Sequence, residues 1–147
     1  MKFLKCFLIL IIGWVFFNSL IGVFLGTVGR CDKNYDKFNK VILYTSCKGT
    51  TKNFIEKWLK VGAVTFGNTV LTTEKGLSDD TYLHELQHVK QYLILGPMFL
   101  PAYGVAHLVA YVDSKINNYR NVHAGNIFEI WADKWAHLPP EPKYFIN

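Results

Sequence analysis

The chain begins with a long uninterrupted apolar run. Residues 6–29 carry no charged side chain, and these 24 residues are rich in leucine, isoleucine, valine and phenylalanine. A helix rises about 1.5 Å per residue, so the run can span the roughly 30 Å hydrocarbon core of a bilayer. A cleavable signal peptide is the competing interpretation, since Lys2 and Lys5 precede the run. However, the apolar region of a signal peptide usually has only about 7–15 residues and no A-x-A cleavage site follows here, so the pattern favours a retained anchor over residues 1–29.

Beyond the anchor, short alternations of apolar and polar positions predict strands. Residues 41–46 are one strand candidate, and residues 53–60 form a short helix candidate. Residues 62–73 alternate around the turn dipeptide Gly67-Asn68, which is typical of a strand or hairpin.

A longer helix is predicted to begin at Ser78, because this residue is a good N-cap and two acids follow it at the positive end of the helix dipole. The helix should run to about Leu95. It carries H-E-x-x-H, with His84 and His88 four residues apart on one face, where both imidazoles can reach one metal ion. Glu85 lies about 100° around the helix, placed to contact a water rather than to be a ligand. The alternative is a surface helix whose histidines face solvent.

A second acidic pair lies downstream. Glu129 and Asp133 are four residues apart, so one helical face carries both carboxylates. One carboxylate can be the third metal ligand that a catalytic zinc site needs, and the other can accept the free N–H of a ligand histidine. Ala132 is small enough to let the two helices approach closely. The alternative is a solvated acidic stripe on an amphipathic helix.

The two motifs together, H-E-x-x-H and the later E-x-x-A-D, resemble those of the gluzincin metallopeptidases, most closely the membrane-bound branch that contains HtpX-type proteases and CAAX endopeptidases. The resemblance covers residues 81–136. It implies a zincin-like domain and a bound Zn²⁺. The resemblance implies that His84, His88 and Glu129 bind zinc. It also implies that Glu85 is the general base and that Asp133 is a carboxylate that supports a histidine.

The implied reaction is hydrolysis of a peptide bond, in which zinc activates a water and Glu85 takes its proton. The reaction also needs an electrophilic donor beside the metal. His123 is the candidate, with Tyr119 behind it, because both lie within ten residues of Glu129. His123 could instead be a helix cap or a surface residue, or replace Glu129 as third ligand. The other two histidines, His107 and His137, are expected to have no role in the site.

Residues 92–112 form a second uncharged stretch of 21 residues, interrupted by glycine and proline. A kinked transmembrane helix, a loop over the site and a bent membrane-dipping hairpin are the three interpretations. One full crossing would separate His84 from Glu129 by the bilayer, so a metal site favours a re-entrant or interface-lying segment packed on the domain. An edge strand within 64–71 is the candidate for pairing with an extended substrate, and a core hairpin is its alternative.

The basic charge of the chain is concentrated after the anchor. The net charge is +5, and residues 30–60 alone contain eight Lys/Arg against three acids. A collar on anionic lipid and a solvated surface explain this equally well. Nucleic acid is not an expected partner, because no reading motif accompanies the charge.

The side of the membrane is left open by the sequence. Basic residues flank both ends of the anchor, so the positive-inside rule does not decide. Cys31 and Cys47 could form a disulfide in an oxidising compartment or remain reduced in the cytosol.

The sequence therefore predicts an α+β protein: an N-terminal transmembrane helix, then a small, mainly helical zincin-like domain over residues 30–147 with a short antiparallel sheet or hairpin. Its expected function is that of a membrane-anchored zinc endopeptidase, with a peptide or protein substrate and the lipid bilayer as partners. One alternative is a membrane-anchored zinc-binding or interaction protein that keeps the core without cleaving peptides. Another is a small membrane protein in which the motif is accidental.

Overall fold

A computed structural model describes residues 2–139 of the chain, with side chains placed at Leu10 and over residues 12–139. The architecture is α+β. The helices are α1 (Lys2–Val28), α2 (Gly49–Asn53), α3 (Asp79–Leu95), α4 (Phe99–Asn117) and α5 (Ile127–Ala136). The strands are β1 (Asp32–Asp36), β2 (Val41–Thr45), β3 (Ala63–Phe66) and β4 (Thr69–Thr72). Wider π-helical turns at Phe54–Leu59 continue α2, and short 3-10 turns at Gly96–Met98 and His123–Gly125 precede α4 and α5.

Two of the predicted strand segments are confirmed. The candidate at 41–46 is β2, and the candidate at 62–73 is the antiparallel β3–β4 hairpin. Gly67 opens the two-residue turn of that hairpin with φ of 62°, a conformation that costs glycine little. The helix predicted at 53–60 is present but begins earlier, since α2 starts at residue 49.

The sheet is larger than the predicted hairpin, and it is mixed rather than antiparallel. Its strand order is β1-β2-β4-β3, with β2 and β4 parallel at the centre and antiparallel pairs on both sides. The sequence did not predict β1, because its five residues are exposed or half-buried and therefore show no apolar alternation. The parallel pair joins segments that lie on either side of α2 and β3, so no local pattern marks it.

The C-terminal half of α1 packs directly on this sheet. A Cβ atom added to Gly22 would lie 2.7 Å from the Thr69 side chain, and one added to Gly26 would lie 2.5 Å from the Tyr44 ring. The two glycines therefore bring the helix backbone into contact with the sheet. Ser19 of α1 also accepts a hydrogen bond of 3.0 Å from the backbone N–H of Asn68. The C-terminal half of the helix that was predicted as an anchor over 1–29 is thus packed against the domain.

The opposite side of α1 and one side of α4 present apolar residues to the surroundings. On α1 these exposed residues are Phe16, Phe17, Leu20, Phe24 and Val28. On α4 they are Val105, Leu108, Val109, Val112 and Ile116. Contiguous apolar patches of this kind mark surfaces that contact a membrane or another protein. We call these two surfaces the outer faces of α1 and α4.

By length and composition, the helical stretch Asp79–Asn117 is sufficient to cross a membrane, a test that the core helix of a soluble protein can also pass. Only 17% of the most apolar 18-residue window of this stretch is buried inside the protein. The stretch is bent, however. His88 and Tyr103 are fifteen positions apart in the sequence, which would place them about 22 Å apart on a straight helix, yet their ring centroids are 6.3 Å apart.

The bend lies at the predicted breaking point. Gly96 ends α3 with φ of 53°, and Pro97 opens the following 3-10 turn. As a result α4 folds back onto the domain, which agrees with the expectation that 92–112 packs there. The interpretation of 92–112 as a loop is wrong, because residues from Phe99 onward are helical.

The packing of α1 predicts different effects for two glycines of the same helix. Gly26→Ala should destabilise the fold by about 1–3 kcal/mol, because the added methyl group overlaps the Tyr44 ring. Gly13→Ala is the matched control: a Cβ there meets nothing within 4 Å, so alanine should be neutral or stabilise by up to about 1 kcal/mol. Chemical denaturation in detergent micelles measures both. Equal effects of the two substitutions would contradict the packing of α1.

Candidate metal centre

Helix α3 presents the two histidines of H-E-x-x-H on one face, as predicted. The helix begins after Ser78, whose hydroxyl accepts a hydrogen bond of 3.2 Å from the backbone N–H of Thr81. It ends at Leu95, also as predicted. This local structure places the Nε2 atoms of His84 and His88 3.1 Å apart.

Helix α5 carries the acidic pair. Its N-cap is the buried Asn126, whose side chain accepts a hydrogen bond of 3.0 Å from the backbone N–H of Phe128. Glu129 therefore lies in the first turn, with Asp133 one turn later. Ala132 is fully buried between them. The small side chain is consistent with the close packing of α5 on α3.

Three potential ligand atoms converge where the two helices meet. The Glu129 Oε2 atom lies 3.0 Å from His84 Nε2 and 3.2 Å from His88 Nε2. Four ligands arranged tetrahedrally at about 2.0–2.1 Å from an ion are roughly 3.3 Å from one another. The observed triangle is close to one face of such a tetrahedron, so the group could hold a metal ion.

Both histidines are oriented by partners on their other ring nitrogen. The Nδ1–H of His84 donates to Asp133 Oδ1 at 2.7 Å, which is the support that the sequence predicted for Asp133. The Nδ1–H of His88 donates to Gln91 Oε1 at 2.9 Å. Gln91 is itself fixed, because its amide nitrogen donates to the carbonyl of Phe128 at 2.9 Å.

This arrangement leaves the Nε2 atoms of both imidazoles facing the Glu129 carboxylate. Burial alone would lower the pKa of His84, but its hydrogen bond to Glu129 raises that pKa to about 9, so the site favours positive charge between these atoms. A divalent cation could supply that charge in place of the protons, because its ligands are unprotonated imidazoles. The buried Glu129 has the same preference for positive charge. Burial alone would raise the pKa of Glu129, but the imidazoles of His88 and His84 lower that pKa well below its usual range. Two imidazoles and a carboxylate suit several divalent transition metals.

The second oxygen of Glu129 is held by two further side chains. Tyr103 donates its hydroxyl proton to Glu129 Oε1 at 2.5 Å. His123 Nε2 lies 3.3 Å from the same oxygen. Glu129 thus directs Oε2 to the ligand group and Oε1 to these partners. His123 is beside the site, as predicted, but the group of three convergent ligands contains Glu129 and not His123.

Glu85 is buried next to the ligand group without belonging to it. The hydroxyl of Thr65 donates to Glu85 Oε2 at 2.6 Å. Thr65 belongs to β3, so the carboxylate is held between α3 and the strand beside it. A carboxylate in this position is available for proton transfer in the adjacent space.

That space is a cavity of about 410 Å³. Its walls include β3, the ligand group and one face of α4. Strand β3 is at the edge of the sheet, so part of the predicted substrate edge, 64–71, lies along the cavity. The β4 part of that prediction is wrong, because β4 is paired on both sides within the sheet.

The remaining predicted residues lie in different places. Tyr119 is buried, and its hydroxyl donates a hydrogen bond to the carbonyl of Ala110 in α4. Its position behind His123 stays a prediction. His107 lines the cavity and stacks on Tyr103, with ring centroids 6.4 Å apart, although no role was expected for it. His137 ends α5 in a left-handed conformation, outside the site.

Three side chains of the site were missed from the sequence. Gln91 could have been found, because it lies three residues after His88 on the same helix and faces the same way. Thr65 and Tyr103 carried no such signal, because their positions depend on the pairing of β3 and on the return of α4.

The contacts of Gln91 predict a specific loss of metal affinity. Gln91→Leu should weaken metal binding about 10–100-fold, because His88 loses the acceptor that orients it. Gln87→Leu is a matched control, since Gln87 is also a buried glutamine of α3 but bonds to Leu83 and Lys90 instead. Competition with a chelator measures both affinities, and Glu129→Ala, which removes a ligand, marks complete loss. Equal affinities in the two glutamine variants would exclude this role for Gln91.

Comparison with known protein families, curated proteins and solved structures gives no match for this chain. The resemblance to gluzincins therefore rests on the two short motifs.

Proposed function

We propose that the protein is a membrane-anchored, zinc-dependent endopeptidase of the gluzincin type. The observation that carries the proposal is the convergence of His84, His88 and Glu129 beside Glu85 at the wall of an open cavity. A purely structural metal site is normally closed by four protein ligands, whereas a catalytic site keeps one position for water or substrate.

The residues have distinct chemical roles in this proposal. Zinc held by His84, His88 and Glu129 supplies a Lewis acid that polarises a peptide carbonyl and lowers the pKa of a water molecule. Glu85 accepts the proton of the attacking water and then delivers it to the leaving amine. The Thr65 hydroxyl donates a hydrogen bond to one oxygen of Glu85, and this bond fixes the orientation of the carboxylate at the cavity wall.

Negative charge that develops on the carbonyl oxygen needs a donor on the chain. We assign this role to His123, whose side chain borders the cavity next to Glu129. A hydrogen-bond donor directed at this oxygen stabilises the negative charge of the transition state.

The edge strand β3 supplies a backbone for substrate binding. Its residues 63–66 line the cavity next to His84 and Glu85. An extended peptide can add to an exposed edge through main-chain hydrogen bonds. This geometry supports a substrate bound as an extra strand, with the scissile bond next to Glu85.

The outer face of α1 supports its assignment as the membrane anchor. Its exposed phenylalanines and leucines occupy the side of the helix away from the sheet, where lipid would replace water. The basic residues of segment 30–60 are exposed, and those that follow the end of α1, such as Arg30 and Lys33, could contact anionic headgroups.

The cysteines favour one side of the membrane for the domain. Cys31 and Cys47 form a disulfide that joins the end of α1 to the end of β2. Disulfides persist in oxidising compartments. We therefore place the domain on the oxidising side of the membrane and Lys2 and Lys5 on the cytoplasmic side, which agrees with the positive-inside rule for that end.

The catalytic prediction separates metal binding from turnover. Glu85→Gln should retain zinc and lower peptide hydrolysis at least about 100-fold, because it removes the general base but no ligand. Glu74→Gln, which changes an exposed glutamate outside the site, is the control and should leave hydrolysis unchanged. Zinc content and cleavage of a broad peptide set are measured on the detergent-purified protein.

Each outcome has a clear meaning. Wild-type protein that keeps its fold but binds no zinc would overturn the proposed function. If the wild type binds zinc but shows no cleavage that depends on Glu85, the alternative of a non-catalytic zinc-binding protein is favoured.

The topology prediction uses the disulfide as a reporter. In a Cys6→Ser background, intact cells should react with a membrane-impermeant maleimide only after treatment with an impermeant reductant, since Cys31 and Cys47 are paired on the outside. Labelling that requires membrane permeabilisation would instead place the domain in the cytoplasm. Labelling of intact cells without reductant would show that the two cysteines are not paired.

A further inference from the structure

The cavity beside the ligand group is walled on one side by a single face of α4. Leu100, Tyr103, Gly104 and His107 all line it. Their spacing of three and four residues places them along one side of the helix. Phe99 at the start of α4 also lines the cavity, and other elements contribute Trp58 and Phe66, so the lining is largely aromatic and aliphatic.

A second cavity of about 580 Å³ meets the ligand group from another direction. It shares His84, Glu85 and His123 with the first cavity, but its own lining includes Lys60, Asp80 and Asn121. The reacting centre thus lies between an apolar space and a polar one. A peptide that passes the centre along β3 would have chemically different surroundings on the two sides of its scissile bond.

Gly104 lines the apolar cavity without filling it. A Cβ atom added there would meet no other atom within 4 Å, so the position faces open space rather than a packed neighbour. Glycine in a helix interior costs about 0.5–1 kcal/mol relative to alanine. Gly104 is also not one of the residues with positive φ, so neither packing nor backbone conformation requires glycine here.

We propose that the cavity walled by α4 is the subsite that accepts a large apolar side chain next to the scissile bond, and that Gly104 sets the size of this subsite. The proposal rests on the proposed peptidase function and names its substrate class. A side chain of the size of leucine or phenylalanine enters beside Tyr103 and over Gly104. A side chain introduced at residue 104 occupies the same space.

The experiment compares cleavage profiles of wild type, Gly104→Ala and Gly104→Leu on a mixed peptide library, with mass spectrometry of the products. Wild type should favour phenylalanine or leucine over alanine on one side of the cut. Gly104→Leu should reduce the ratio of kcat/KM for the large over the small residue about 10-fold or more, with Gly104→Ala in between. Gly76→Leu adds the same side chain at another open glycine outside both cavities and should keep the wild-type profile.

The subsite proposal is overturned if wild type shows no preference for apolar residues, or if Gly104→Leu leaves the ratio unchanged. The peptidase proposal still stands in that case, provided that Glu85→Gln abolishes the cleavage. If no such cleavage occurs, the peptidase fails and the subsite is tested by calorimetry with two probes, phenylalanine hydroxamate and alanine hydroxamate. Tighter binding of the phenylalanine probe by wild type, lost in Gly104→Leu, supports the subsite. Equal binding of both probes by wild type contradicts it.

Discussion

Burial of the Glu129 carboxylate is the constraint on which the rest of the structure depends. The residue is 2% exposed, and removing an ionised carboxylate from water without partners costs several kcal/mol. Its two oxygens are therefore satisfied from different elements: Tyr103 comes from α4, His123 from the turn before α5, and His84 and His88 from α3. A conformation in which any of these elements moves away leaves a buried charge without full compensation. The position of one carboxylate thus links the three helices.

The same constraint would couple the binding of a metal ion to folding. The two imidazoles turn their Nε2 atoms toward Glu129 because Asp133 and Gln91 accept hydrogen bonds from their Nδ1–H groups. Without a metal ion these Nε2 atoms can hydrogen-bond to the carboxylate, and with one they could act as ligands. Since the unfolded chain cannot assemble this geometry, a metal ion bound here would stabilise the folded state. Gln91 strengthens this coupling because it also bonds to the backbone of α5.

The parts that the sequence predicted are those with a local physical signal. The spacing of His84 and His88, the cap at Ser78 and the turn at Gly67 each depend on residues within one helical or hairpin turn. The pair formed by Glu129 and Asp133 could be predicted for the same reason, because the two residues are one helical turn apart. The pairing of β2 with β4 and the contact of Tyr103 with Glu129 depend instead on the return of the chain after long separations, which no local pattern encodes. Zincin-like topology and zinc itself remain predictions that follow from the motifs.

The packing of α1 makes this helix part of what positions the candidate metal centre. Ser19 bonds to the backbone of Asn68, in the turn that joins β3 to β4, and Gly22 lies against Thr69 at the start of β4. Because β3 pairs with β4 along its whole length, a shift of α1 would also shift the edge strand beside Glu85. A flexible linker between an anchor and a domain would allow the domain to reorient freely. Here the direct contact between helix and sheet fixes the edge strand relative to α1, so lipid that held the outer face of α1 would also set the orientation of the edge strand to the bilayer.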